Sequence, residues 1–279
     1  MSERFGARLA RAVAEKGPLC AGIDPHPGLL EAWGLTADAG GLEKFALTAA
    51  ETLAPEVAVI KPQSAFFEAY GPAGVAVLAK TMKVCREAGA LVLLDVKRGD
   101  IGSTMAAYTA AFLPGGAELE ADAITVSPYL GFGSLAPALE VAQAQGKGLF
   151  VLARTSNPEA QGLQNALLPN GKTVAQDIVD TAAGYNAGVG PLGDIGVVVG
   201  ATIAPGQLDL SGLNGPVLAP GFGAQGATPA DLRAVFGAGL PGVLPASSRD
   251  VLKHGPDPEA LRAAVRRTRD SLGPLEKGQ

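Results

Sequence analysis

Short aliphatic runs alternate along this chain with longer stretches in which apolar residues return every third or fourth position. The runs fall at 18–24, 56–62, 90–97, 121–127, 148–155, 195–202, 216–221 and 242–247. Each is short, continuous and bounded by turn-forming residues, the pattern of a parallel strand covered on both faces. Between them, 72–88 carries Val75, Leu78, Met82 and Cys85 on one helical face, and 172–187 carries Val174, Ile178, Thr181 and Tyr185. Phe5, Leu9 and Val13 recur every four residues, which predicts an amphipathic helix over 1–17 lying on the domain. The connection around 205–212 is the poorest, with room for one short turn of helix. The segment 157–171, rich in Asn, Gly, Gln and Pro, reads as a long loop, and 273–279 as a polar, frayed tail.

Strands alternating with helices predict a parallel sheet, and eight such units predict an α/β fold closed as a (β/α)₈ TIM barrel with an extra N-terminal helix. A doubly wound open sheet is the competing architecture, but no GxGxxG follows the first strand. No break in composition marks a linker, so 1–279 reads as one domain.

Charge appears where such a barrel does its chemistry, at the C-terminal ends of the strands. The first run ends at Asp24, the second at Lys61, the third at Asp95 and Lys97, and the fifth at Arg154, Thr155 and Ser156. Asp95 and Lys97 stand two apart, so both project to one face of the strand. A single such pair is equally well a buried ion pair that fixes the strand; with Asp24 and Lys61 on neighbouring strands it becomes an array of alternating charge in one mouth. Asp100 stands just before IGSTMAAYTAAF, where it would cap a helix. After the seventh run, PGFGAQG (220–226) is a glycine-rich loop leading to TPAD, a helix start with capping residues. Such a loop brings backbone N–H groups close to phosphate, and Arg249 in ASSRD offers a bidentate partner for its oxygens.

Composition narrows the partners. Over 279 residues, 47% hydrophobic and 18% charged content supplies a large core, and a net charge of −5 argues against nucleic acid as a partner. No run approaches the roughly 18 apolar residues of a membrane span. Cys20 and Cys85 lie in apolar surroundings and read as buried small hydrophobes in a reducing, cytoplasmic setting. His26 and His254 have no metal-spaced partner and read as loop and surface, and Trp33 reads as packing.

These residues resemble orotidine 5'-phosphate decarboxylase, in its longer bacterial (type 2) subfamily. DVKRGDIGST matches that family's D-x-K-x-x-D-I signature, and GIDP (22–25), VIKPQSAFFE (59–68), SPYLG (127–131), RTSNP (154–158), APGFGAQG (219–226) and SSR (247–249) follow the family's order. The resemblance implies a cofactor-free, metal-free decarboxylase of orotidine 5'-monophosphate in which Lys61, Asp95, Lys97 and Asp100 form the catalytic network. It implies a homodimer in which Asp100, Ile101 and Thr104 enter the neighbour's site. Asp24 would bind the ribose, Ser156 the pyrimidine, and Pro220, Gln225 and Arg249 the phosphate end. The loop 220–228 would close on phosphate. Ser127 departs from the Asn often found there in the longer subfamily. A related metal-dependent group of sugar-phosphate barrels shares D-x-K-x-x-D but needs a carboxylate where Lys61 stands. Two further alternatives are a Schiff-base aldolase, disfavoured because Lys97 between aspartates stays charged, and a barrel that only binds nucleotide.

Overall fold

The computed structural model describes residues 3–223, 226–237 and 242–273. All eight aliphatic runs are strands of one closed parallel barrel: β1 (Cys20–Ile23), β2 (Val59–Pro62), β3 (Leu91–Arg98), β4 (Ala123–Val126), β5 (Gly148–Arg154), β6 (Ile195–Val199), β7 (Val217–Pro220) and β8 (Val243–Ser247). Each strand pairs with the next in chain order, and β8 returns to β1 through Cys20↔Ala246 and Ala21↔Ser247.

The helices are α1 (Phe5–Lys16), α2 (Pro27–Ala32), α3 (Ala39–Leu53), α4 (Ser64–Glu68), α5 (Gly71–Glu87), α6 (Gly102–Phe112), α7 (Ala136–Gln145), α8 (Gln161–Gln164), α9 (Val174–Asn186), α10 (Pro229–Phe236), α11 (Arg249–Leu252) and α12 (Pro258–Ser271). Their starts follow local chemistry. The Asp38, Thr173 and Asp257 side chains accept N–H bonds from the first turns of α3, α9 and α12, and Thr228 with Asp231 closes a full capping box on α10.

Two sequence expectations are corrected. No helix forms in the sixth connection: Pro205 and the glycines around it break the pattern, and Gln176 of α9 binds both the N–H and the C=O of Asp209, satisfying backbone that a helix would otherwise have to satisfy. The segment 157–171 is not wholly loop, since it contains α8 and a bridge between Leu167 and Thr173. The tail at 274–279 lies outside the described residues.

The core has two shells. Cys20, Val59, Leu93, Ala123, Phe150, Val198, Leu218 and Leu244 fill the barrel interior, and a larger cluster fills the space between strands and outer helices. Phe5 and Leu9 of α1 join the inner shell, where Phe5 meets Phe150 edge to face at 6.0 Å. Thus α1 closes the N-terminal end of the barrel, and the opposite end remains open.

Candidate active site

The period of two that fills the interior also builds the mouth. Continuing the inward face of each strand by one or two steps leads from Cys20 to Gly22 and Asp24, from Val59 to Lys61 and Gln63, and from Leu93 to Asp95 and Lys97. On the far side it leads from Phe150 to Leu152, from Val198 to Gly200, from Leu218 to Pro220, and from Leu244 to Ala246 and Ser248. All these outer residues line one cavity of about 410 Å³. Gly22 is required there, because a Cβ would stand 2.7 Å from that of Ser248.

Four charges form a row across the cavity. Lys97 Nζ donates to Asp95 Oδ1 at 2.6 Å, Lys61 Nζ donates to Asp95 Oδ2 at 3.2 Å, and Lys61 Nζ lies 3.8 Å from Asp24 Oδ1. Gln63 Oε1 accepts a further bond from Lys61 at 3.3 Å. Burial penalises the Lys61 ammonium, but the carboxylates of Asp24 and Asp95 outweigh it and hold the group above the ordinary lysine range. Burial alone would raise the Asp95 carboxyl; Lys61 and Lys97 hold it down at about 2. Lys61 and Asp95 therefore both stay charged at neutral pH. Members of the row differ in access: the side chains of Lys61 and Asp95 are each 8% exposed, whereas that of Lys97 is 45% exposed. Lys97 is the ammonium a ligand can touch.

Toward β7 and β8 the cavity is walled by Pro220, Gly221, Phe222, Ser247, Ser248 and Arg249. Asp24 Oδ1, Ser247 Oγ and Ser248 Oγ are buried without a hydrogen-bond partner, an arrangement that a polar ligand completes. Arg249 opens α11 with an exposed side chain, and among the described residues it makes no ion pair. His26, Gln63 and Phe66 also line the cavity and were not foreseen. His26 lies in the loop before α2, as read from the sequence, and caps that helix, with Nδ1 accepting from Gly28 N at 3.3 Å.

Lys61, Asp95, Lys97, Asp24, Ser156, Pro220 and Arg249 all line this one cavity. Asp100, Ile101 and Thr104 lie outside the cavity on the surface beside it, with Ile101 62% exposed. Asp100 is not the cap of α6: that position belongs to Ile101, and the Asp100 carboxylate accepts the Ile101 N–H at 2.8 Å. Arg154 does not reach the mouth. A register shift between Leu152 and Arg154 breaks the inward alternation, and the buried guanidinium donates to Thr155 O and Gln164 Oε1. Gln225 lies outside the described residues. Arg98 pairs with Glu68 at 2.7 Å and packs over Tyr108, a structural role. Among the described residues no three of His, Cys, Asp and Glu cluster as metal ligands.

Residues 17–264 match the family model described as orotidine 5'-phosphate decarboxylase / HUMPS family. The chain is 62% identical over 265 residues to the orotidine 5'-phosphate decarboxylase of Salinispora arenicola and 59% identical over 266 residues to that of Streptomyces coelicolor, spanning 95% of each chain in both comparisons. A crystal structure of a Streptomyces avermitilis protein superposes with a TM-score of 0.94 at 57% identity, covering 97% of this chain and 95% of that one. The orotidine monophosphate decarboxylase of Leishmania donovani superposes with a TM-score of 0.74 at 29% identity over 98% of each chain.

Proposed function

The chain belongs to the orotidine 5'-phosphate decarboxylase / HUMPS family, and from that premise we infer how its one barrel converts orotidine 5'-monophosphate to uridine 5'-monophosphate, the last step of pyrimidine nucleotide synthesis. The observation that carries the reading is the ion-paired row Lys97–Asp95–Lys61–Asp24, opening through Lys97 onto the cavity. Loss of CO₂ from C6 leaves the bonding electron pair on a carbon with no adjacent carbonyl to delocalise it. A preorganised ammonium at Lys97 offsets that charge and then gives its proton to C6, and solvent reprotonates the amine. Asp95 fixes the ammonium from below, and the carboxylates of Asp95 and Asp100 beside the substrate carboxylate favour its departure. Lys61 stands where the metal-dependent branch of sugar-phosphate barrels needs a carboxylate, so its ammonium occupies the place of a cation and the chemistry proceeds without cofactor or metal.

Substrate positioning is taken from the family resemblance, and the unpartnered Asp24 Oδ1 in the cavity wall supports it. Asp24 Oδ1 accepts from the ribose hydroxyls, Ser156 meets the pyrimidine, and Arg249 with the backbone after Pro220 and with Gln225 holds the phosphate. Binding energy from this remote phosphate drives the loop 220–228 over the site.

Each site draws on two chains. Asp100, Ile101 and Thr104 face outward beside the mouth, and α6 exposes Ala106, Ala107, Ala110 and Ala111 next to exposed Tyr129 and Leu130. A helix with no charged residue and an exposed apolar face suits a second copy related by a two-fold axis. The Asp100 of each copy then reaches the Lys97 of the other. The protein works in the cytoplasm, with no helix among the described residues long and apolar enough to cross a membrane.

The test is spectrophotometric decarboxylation of orotidine 5'-monophosphate in EDTA. Turnover is expected to be unchanged by the chelator, and dependence on added Mg²⁺ would overturn the cofactor-free reading. Mixing inactive Lys97→Ala and Asp100→Ala chains is expected to restore roughly one quarter of the parent rate through heterodimers with one intact site. No recovery would mean that one chain furnishes each pocket.

A further inference from the structure

Beside the charged row, β3 and β4 fall out of step. Leu94 pairs with Ile124 and Arg98 with Val126, so an advance of four residues along β3 matches two along β4. The slack lies at 95–97, the segment that carries the chemistry. Within it Lys97 adopts φ 46°, a left-handed conformation that is strained for a residue with a Cβ.

Such a bulge removes backbone groups from the ladder, and something must receive the Lys97 N–H. It donates to Thr125 Oγ1 at 2.9 Å. The same hydroxyl donates its proton to Asp95 Oδ1 at 2.8 Å, and that carboxylate oxygen also accepts Lys97 Nζ at 2.6 Å. Backbone, hydroxyl, carboxylate and ammonium thus close a ring that begins and ends in Lys97. Thr125 follows Ala123 on the inward face of β4, is 1% exposed, and lines no part of the cavity.

We propose that Thr125 is a positioning residue for the decarboxylation inferred above: its hydroxyl holds the bulged Lys97 backbone and orients Asp95, and so aims the ammonium at the reacting carbon. The position demands one group that both accepts and donates within the space of a small side chain. Threonine and serine satisfy this. Valine matches threonine in shape but leaves the Lys97 N–H without its acceptor and Asp95 without one donor, which frees the bulge to relax.

The test compares Thr125→Val and Thr125→Ser with the parent. With Thr125→Val, kcat is expected to fall about 10²-fold, the effect of a reacting group displaced by roughly 1 Å. The KM for substrate and the affinity for uridine 5'-monophosphate are expected to stay unchanged, because Asp24 and Arg249 are untouched. Thr125→Ser is expected to recover kcat to within about threefold of the parent, since it restores both hydrogen bonds. A packing role would lower thermal stability without separating kcat from KM, and serine would then be the more damaging change. Parental kcat in the valine variant, or an equal loss in both variants, overturns the proposal. If the parent itself failed to decarboxylate, the functional reading would fall and a crystal structure of Thr125→Val would decide the geometry. Lys97 keeping its positive φ and its contact with Asp95 there would overturn the role of Thr125.

Discussion

The two ends of the barrel both bury charge, and they treat it in opposite ways. At the N-terminal end, Arg8 donates to Asp122 Oδ1 at 2.5 Å while Val92 N donates to Asp122 Oδ2 at 2.8 Å, and Asp194 Oδ1 accepts the Gly6 N–H at 2.7 Å. Each carboxylate there has a hydrogen-bond partner and is covered by α1. At the C-terminal end, Asp24 Oδ1 and two serine hydroxyls are buried without partners, one lysine holds a strained backbone, and an ammonium opens onto a cavity. A carboxylate whose partners all lie within the protein fixes structure, whereas the unpartnered oxygens beside the row leave hydrogen bonds open to a ligand. Burial of charge is therefore no mark of a site by itself; incomplete pairing around a cavity is.

The contrast predicts that changes at the solvent-reachable groups of the mouth, Lys97 and Arg249, reduce activity while leaving the fold, and that changes at the floor do the reverse. The largest effect is expected for Lys97→Ala, which in the proposed mechanism removes both the electrostatic partner of the carbanion and its proton donor. It should lower kcat by at least about 10³-fold with a melting temperature close to that of the parent. Near-parental turnover would remove Lys97 from the chemistry. At the floor, Phe5→Ala empties a fully buried position against Phe150 and should cost about 3–5 kcal/mol, seen as a melting temperature lower by about 10 °C. Its kcat below the transition should equal the parent's, and a loss of activity in the folded enzyme would break the division between the two ends.

Arg249→Ala probes the phosphate end of the mouth. It should lower kcat/KM for the nucleotide about 10²-fold through loss of charge-assisted hydrogen bonds, and leave the slow reaction of phosphate-free orotidine unaltered. Equal losses with both substrates would place Arg249 elsewhere. The smallest effect concerns pH. The Asp95 carboxyl lies at about 2 in the folded chain and at about 3.9 when unfolded. A depressed folded value stabilises the fold above the unfolded value, and that contribution disappears as pH falls from about 4 toward 2. The shift corresponds to about 2–3 kcal/mol, so the urea midpoint should drop more steeply on acidification for the parent than for Asp95→Asn. Parallel curves would detach Asp95 from the acid response.

Much of the mouth is written in the chain itself because strand periodicity is local. Once Val59 and Leu93 face inward, Lys61, Asp95 and Lys97 must follow them. Gln63, Leu152, Gly200, Ala246 and Ser248 follow equally from stepping two residues past each inward position, but uncharged side chains do not by themselves mark a site. Where periodicity breaks, inference from it breaks too. The register shift in β5 turns Arg154 out of the mouth, and the one between β3 and β4 brings Thr125 beneath Lys97. A bulge depends on both paired strands, so neither strand alone announces it. Asp100 failed as a cap for a related reason, since a capping side chain needs a backbone geometry that Ile101, one residue later, adopts.

The sequence by itself determined the eight strands, their closure into a barrel, and the types of charge at its open end, because those follow from a repeat of two and from the position of polar residues after apolar runs. Only the tertiary structure decided which ammonium is reachable, which carboxylate oxygen is unpartnered and which hydroxyl accepts the Lys97 N–H. Those properties depend on distances between residues far apart in the chain, and a hydrogen bond changes character over less than an ångström.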